Sequence, residues 1–400
     1  PFAACLISRH PFIPQMEKCL ETIIHMSVDE NFNYDEINKF IMHLIYEIPI
    51  PPDNRKLMFY TPYNPTPLEI YGNIYKDLPI MSNDFTVIFH HFSVDNIILI
   101  HSLMLLEQKM IFVHSNYKDI AEVSQAFVNL LYPMQWSNIY VPILSEDTCK
   151  YVLAFVPYIM GVQQSLVNRV KSQLDENTDS DTNVYFVNIE KNTIESMVKK
   201  KTKRMNRKSI TETEIPEYPE SLYEYLAKEL KEIKKIVEKG KEFGTYNAEK
   251  LNKKIRKHFM KSLVNLFGDY KKYVAIIDNV PILNIDSFLE TKSPFSVKFY
   301  KELVETQIFK HFLQQKHANP YFDKMSLRYF NLQLVSRRES KMKIRSTSVV
   351  RSSINLTKVT NSKTPGQKKK RDGSESSSGD DSVDSKFESL DSFIITPYFM

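Results

Sequence analysis

Eight glycines in 400 residues leave this chain little material for a phosphate cradle, and neither G-x-G-x-x-G nor G-x-x-x-x-G-K-[ST] occurs. A G-x-S-x-G nucleophile elbow is missing as well. The three cysteines, Cys5, Cys19 and Cys149, form no zinc or redox spacing and no even disulfide set, so they read as buried reduced thiols of a cytoplasmic protein. No apolar run reaches the roughly 18 residues of a membrane helix; the longest, residues 97–106, is interrupted by His101 and Ser102. No signal-peptide pattern is visible. His90 and His91 are adjacent, so they point apart on a helix or strand, and no further ligand set surrounds them. They read as structural histidines, and neither a metal nor a cofactor is expected.

A hydrophobic content of 42% is enough for a sizeable core, and the length suggests more than one compact unit. The stretch Ser93 to Val162 organises the rest. Residues 97–109 form an apolar helix with Ser93 as N-cap and Asp95 in its first turn, running into a strand, Met110 to Val113, closed by His114, Ser115 and Asn116. Ser115 or Asn116 caps a second helix, whose Ile120, Val123, Ala126, Phe127, Leu130 and Leu131 recur at helical spacing. Beyond Trp136, the lone tryptophan, come a strand at Ile139 to Val141, a third helix near Thr148 to Ala154, and a strand from Val156 to Met160 ending at Gly161. Short apolar strands alternating with helices predict an α/β fold: a central, mostly parallel sheet flanked by helices, followed by a helical segment and a disordered tail.

Upstream, residues 3–7 read as a strand. A helix after Pro14 places Met16, Cys19, Leu20, Ile23 and Ile24 inward, and another, Tyr34 to Tyr46, places Ile37, Phe40, Ile41, Leu44 and Ile45 inward. The prolines of residues 47–53 hold the chain extended, a state that Phe59 to Pro67 continues. Downstream, Gln173 to Asp181 is a polar surface loop and Val184 to Ile189 a further strand. The basic run Lys199 to Lys208 has no interleaved aromatics for base stacking, so it reads as a solvated insertion loop rather than a nucleic-acid site; acidic lipid is its other possible contact. A long helix follows Pro219, with Leu222, Tyr225, Leu226, Leu230, Ile233 and Val237 inward and Gly240 as C-cap. From Ser336 serine, lysine and aspartate dominate, basic first and then acidic, which predicts disorder. Ser340, Ser346 and Ser348 follow arginines closely and are phosphorylation candidates. Residues 393–399 are apolar enough to dock, on this chain or on a partner.

Four blocks in order, Leu105 to Ser115, Leu130 to Trp136, Tyr140 to Leu144 and Val156 to Val162, resemble the central part of a DENN domain, the tripartite module of Rab guanine-nucleotide exchange factors. Ser8-Arg-His-Pro-Phe12 resembles the close of the upstream DENN segment, most of which would then be lacking. Residues 258–270 and Glu305-Thr-Gln-Ile-Phe309 resemble the downstream segment. On this reading residues 1–70 are the end of the upstream segment and a proline-rich linker, 71–240 the central segment with the basic insertion, 241–335 the downstream helical segment and 336–400 the tail. The resemblance implies nucleotide exchange on a Rab-type small GTPase in vesicle trafficking, without covalent chemistry, in a cytoplasmic protein that membranes can recruit. Its alternative is a non-catalytic DENN-fold scaffold. Glu107 sits where the family has a glutamate, with an implied structural role at the helix end. For partner binding, His114, Ser115, Asn116, Gln135 and Trp136 near the strand ends combine aromatic area with hydrogen-bonding capacity.

Overall fold

The computed structural model describes residues 5–7, 12–29, 34–52, 55–71, 78, 81, 83–176, 183–197, 217–243, 247–278, 280–318, 329–337 and 392–395. The chain divides into two compact units, Pro1–Leu6 with Gln15–Tyr75 and Leu332–Met400, and Ile7–Pro14 with Lys76–Asn331.

In the first unit, Cys5 and Leu6 of the expected opening strand belong to no helix or strand, and neither does Ile7 of the second. Helix α1 (Ile13–Val28) buries Cys19, Thr22 and Met26, while Ile24, expected inward, is exposed, as is Cys5. Helix α2 (Tyr34–Met42) buries Phe40 and passes into a π-helical turn, His43–Glu47, where Ile45 faces out rather than in. The stretch expected to stay an extended linker folds into an antiparallel hairpin of β1 (Lys56–Thr61) and β2 (Asn64–Tyr71), turning at Tyr63 with φ 65°. Leu57, Phe59 and Thr61 alternate inward along β1. Pro65 and Pro67 are compatible with β2 because it is an edge strand, where a missing N–H costs no ladder bond.

The second unit is built on a five-stranded sheet. Its elements are α3 (Val87–His91), α4 (Val94–Leu105), β3 (Lys109–His114), α5 (Tyr117–Leu130), β4 (Ile139–Val141), β5 (Tyr158–Gln163), α6 (Val167–Glu176), β6 (Val184–Asn188) and β7 (Thr193–Met197). The spatial order is β4-β5-β3-β6-β7, with the first four strands parallel and β7 antiparallel to β6. The predicted mostly parallel sheet is therefore present. Its central strand β3 is buried from Lys109 to Val113, and α4 is buried around most of its circumference, as near-continuous apolar sequence requires. The caps are Ser93, whose hydroxyl accepts the Asn96 N–H, and Asn116, whose side chain accepts the Lys118 N–H at 2.9 Å.

Several boundaries differ from expectation. Thr148 to Ala154 contains only a 3-10 stretch, Cys149–Leu153. Strand β5 starts at Tyr158 and runs through Gly161, and Gln173 to Glu176 end helix α6 instead of opening a loop. Helix α7 (Glu220–Phe243) passes through Gly240 without stopping, with Leu226, Leu230, Ile233 and Val237 fully buried along one face. Helix α8 (Ala248–Phe267) packs against it. The downstream segment is not purely helical. Between α8 and the helices α9 (Ile285–Leu289), α10 (Val297–Glu305) and α11 (Gln307–Ala318) stands a hairpin, β8 (Val274–Ile277) and β9 (Val280–Leu283), with Asp278 at φ 50°. Phe267 makes edge contacts with Phe309 and Phe312 there, tying α8 to α11.

Of the segment expected as a disordered tail, Ser336 and Arg337 end a helix over 329–337, and β10 (Ser392–Ile395) joins the first unit's sheet beside β1. The rest of it, with Ser340, Ser346 and Ser348, and the basic run 199–208 lie outside the described residues. No described helix is long and apolar enough to cross a membrane.

Candidate functional site

Because β3, β5 and β6 run in parallel, their carboxyl ends bring His114, Gln163 and Asn188 to one rim of the sheet, with His114 paired to Gln163 and Val113 to Asn188. Loops beyond such strand ends are where ligands and partners of α/β sheets are usually met. The rim is cross-linked by polar contacts. The Ser115 N–H donates to Glu190 Oε1 at 3.0 Å, and the Ile189 N–H to the Val113 carbonyl at 2.9 Å. Gln163 Nε2 donates to the Ser115 carbonyl, and its Oε1 accepts from both the Tyr117 and Ser165 hydroxyls at 3.0 Å. Asn188 donates to Gln164 Oε1 and accepts the Lys191 N–H.

His114 sits at the centre. Its Nδ1 accepts the Asn116 N–H at 2.9 Å, which places the ring proton on Nε2, 3.9 Å from Glu190 Oε1. Asp119 lies 3.4 Å from Nδ1, and His91 meets the ring edge-on with centroids 5.6 Å apart. The Ser115 hydroxyl and N–H hold the Glu190 carboxyl below the usual carboxylate range. Tyr117, 45% exposed, is the large aromatic surface of this rim. Among the described residues no three His, Cys, Asp or Glu side chains are placed to hold a metal. The rim is thus a preorganised polar surface whose groups can exchange hydrogen bonds with another macromolecule.

The five expected contact residues do not come together. His114, Ser115 and Asn116 share the carboxyl rim, whereas Gln135 and Trp136 precede β4 and so lie at the amino end of the sheet. There the half-buried Trp136 donates its indole N–H to the Ile139 carbonyl at 3.1 Å, Gln135 is exposed, and the Ser137 hydroxyl meets His311 Nδ1. Asn138 donates to Glu107 Oε1 at 2.8 Å. Sequence reasoning did not single out Gln163, Glu190 or Tyr117 as contacts. Their signal was positional: each lies within a few residues of the carboxyl end of a predicted strand.

Glu107 itself adopts φ 50° and turns its carboxylate onto the start of α11, accepting the N–H groups of Gln307 and Ile308 at 2.8 Å each. The adjoining Thr306 is buried, its hydroxyl donating to the Leu303 carbonyl. The Thr-Gln pair is therefore a helix junction.

Residues 1–192 match the family described as the DENN (AEX-3) domain. Similar curated proteins include mouse DENN domain-containing protein 3, 22% identical over 332 residues that make up 79% of this chain and 24% of that protein. Mouse DENN domain-containing protein 1B is 24% identical over 78% of this chain and 36% of its own length, and the human protein of the same name 23% over 78% and 38%. The chain thus spans less than two fifths of the length of these relatives.

Proposed function

We propose, from a chain that carries a DENN domain over residues 1–192, that this protein is a guanine-nucleotide exchange factor for a Rab-type small GTPase, with the carboxyl rim of the sheet as a contact face. Exchange needs no acid, base or nucleophile. An exchange factor binds the nucleotide-free GTPase more tightly than the GDP-bound form, and that differential affinity lowers the barrier to GDP release.

The observation that supports this face is its preorganisation. Gln163, Ser115 and Glu190 are held by one another, and the Asn116 side chain by the Lys118 N–H, before a partner arrives, so few rotamers are frozen on binding. Tyr117 adds aromatic area at the same place. Membrane trafficking and recruitment to membranes follow from the same reading of the family.

The test is release of fluorescent GDP from a panel of purified Rab-type GTPases, with the full chain added in catalytic amounts. Acceleration for one or a few members supports exchange activity. A GTPase that binds while its GDP release stays at the intrinsic rate assigns the alternative, a non-catalytic scaffold.

A further inference from the structure

The first unit's sheet has the order β10-β1-β2, and its outer strand comes from far along the chain. Ser392 to Ile395 pair in parallel with Lys56 to Phe59, residue for residue. Two further observations bear on this contact. The β1–β2 hairpin by itself is only two strands, an arrangement that is marginal in water and gains from a third. Between residues 338 and 400, where serine, lysine and aspartate dominate, Phe393-Ile394-Ile395-Thr396 is the run of β-branched and aromatic residues, and Pro397 ends it.

We propose that the outer edge of β1 is a strand-docking site, occupied in this protein by its own segment Ser392–Ile395. An edge strand presents a row of backbone N–H and C=O groups that template an added strand whatever its side chains, and apolar alternation in the added strand supplies the selectivity. Parallel addition next to β1 leaves β2 as the opposite edge. The ladder is four residues long. A contact this short is exchangeable. A segment of similar chemistry, extended, rich in Ile or Phe at alternate positions and free of proline within the run, fits the same edge when presented from outside.

Hydrogen–deuterium exchange on the full chain tests this. Alternate N–H groups of a strand face its neighbour, so either Ile394→Pro or the adjacent Ile395→Pro removes an N–H from the ladder and weakens the pairing. The amides of Lys56–Phe59 should exchange several-fold faster in that variant, with those of Met110–Val113 unchanged. A synthetic peptide of residues 389–398, added to the variant at high micromolar concentration, should restore the lost protection. Should Ile394→Pro also perturb Met110–Val113, Ile395→Pro, at the end of the ladder, replaces it. Unchanged exchange at Lys56–Phe59 in both variants overturns the proposal. So does a peptide that fails to protect β1, since an edge that cannot accept the segment in trans is not a docking site.

Discussion

The carboxylate of Glu107 accepts the backbone N–H of Gln307 at 2.8 Å across 200 residues of chain, and so closes the amino terminus of α11 from the end of α4. Its other oxygen takes the Ile308 N–H and the Asn138 amide. A negative charge at a helix start also suits the helix dipole. Glu107→Ala leaves two backbone donors and one side-chain donor without this acceptor. We expect it to destabilise the protein by about 2–4 kcal/mol, with Glu107→Gln losing roughly half as much because one acceptor oxygen remains. Urea unfolding midpoints read this directly, and a Glu107→Ala midpoint equal to the parent's would reject the capping role.

Gly161 is required by close approach. A Cβ there would lie 1.8 Å from the Pro142 carbonyl oxygen and 2.3 Å from Ile120 Cγ2. Leu144 also donates its N–H to the Gly161 carbonyl at 2.7 Å, so the Pro142 to Leu144 backbone has little freedom to retreat. Gly161→Ala is expected to cost at least about 2 kcal/mol. Adding Ile120→Ala relieves only the side-chain clash, so the double variant should not recover the parental Tm. Full recovery would mean that the backbone yields.

His101 is fully buried against Phe259, their ring centroids 4.8 Å apart, and neither ring nitrogen completes a hydrogen bond among the described residues. Burial pulls its pKa down to about 4, against a smaller opposing effect from the nearby Leu130 carbonyl. The unfolded chain takes up this proton near pH 6.5 and the folded chain only near pH 4, so stability falls as the pH drops through that window. The full loss is on the order of 3 kcal/mol. His101→Leu should be neutral or stabilising at pH 7 and should flatten the decline between pH 6.5 and 4. Parallel pH profiles for the two proteins would contradict this.

At the rim, Asn116 has a capping duty as well as a proposed contact, and the two separate by substitution. Asn116→Ala should cost about 1 kcal/mol through the lost cap on α5, and Asn116→Ser should keep most of that stability. If the rim binds the GTPase, Tyr117→Ala and Gln163→Ala should slow GDP release several-fold while shifting Tm by no more than a few degrees. Parental exchange rates in both variants would move the contact face elsewhere, with exposed Gln135 at the amino end of the sheet the next place to probe.

Periodicity and capping chemistry were enough to find the core of the second unit. Ser93 and Asn116 start helices because a side-chain oxygen near an open N–H is a local event, complete within three residues. Continuous apolar runs at residues 110–113 and 184–187 marked strands buried on both faces, and the parallel sheet follows from their alternation with helices. The hairpin of β1 and β2 was hidden because Pro65 and Pro67 argue against a strand unless it is known to be an edge, and edge status is a property of the assembled sheet. Gly240 likewise looked like a helix stop, whereas α7 runs on to Phe243. Strand direction then divided the expected contact residues: His114 ends β3 and Trp136 precedes β4, and two positions close to strand ends in sequence lie at opposite ends of a parallel sheet. The pairings of Glu107 with Gln307 and of Lys56 with Ser392 were likewise invisible in the sequence. A hydrogen bond is specified by position in space, and no local pattern records which distant backbone will arrive there.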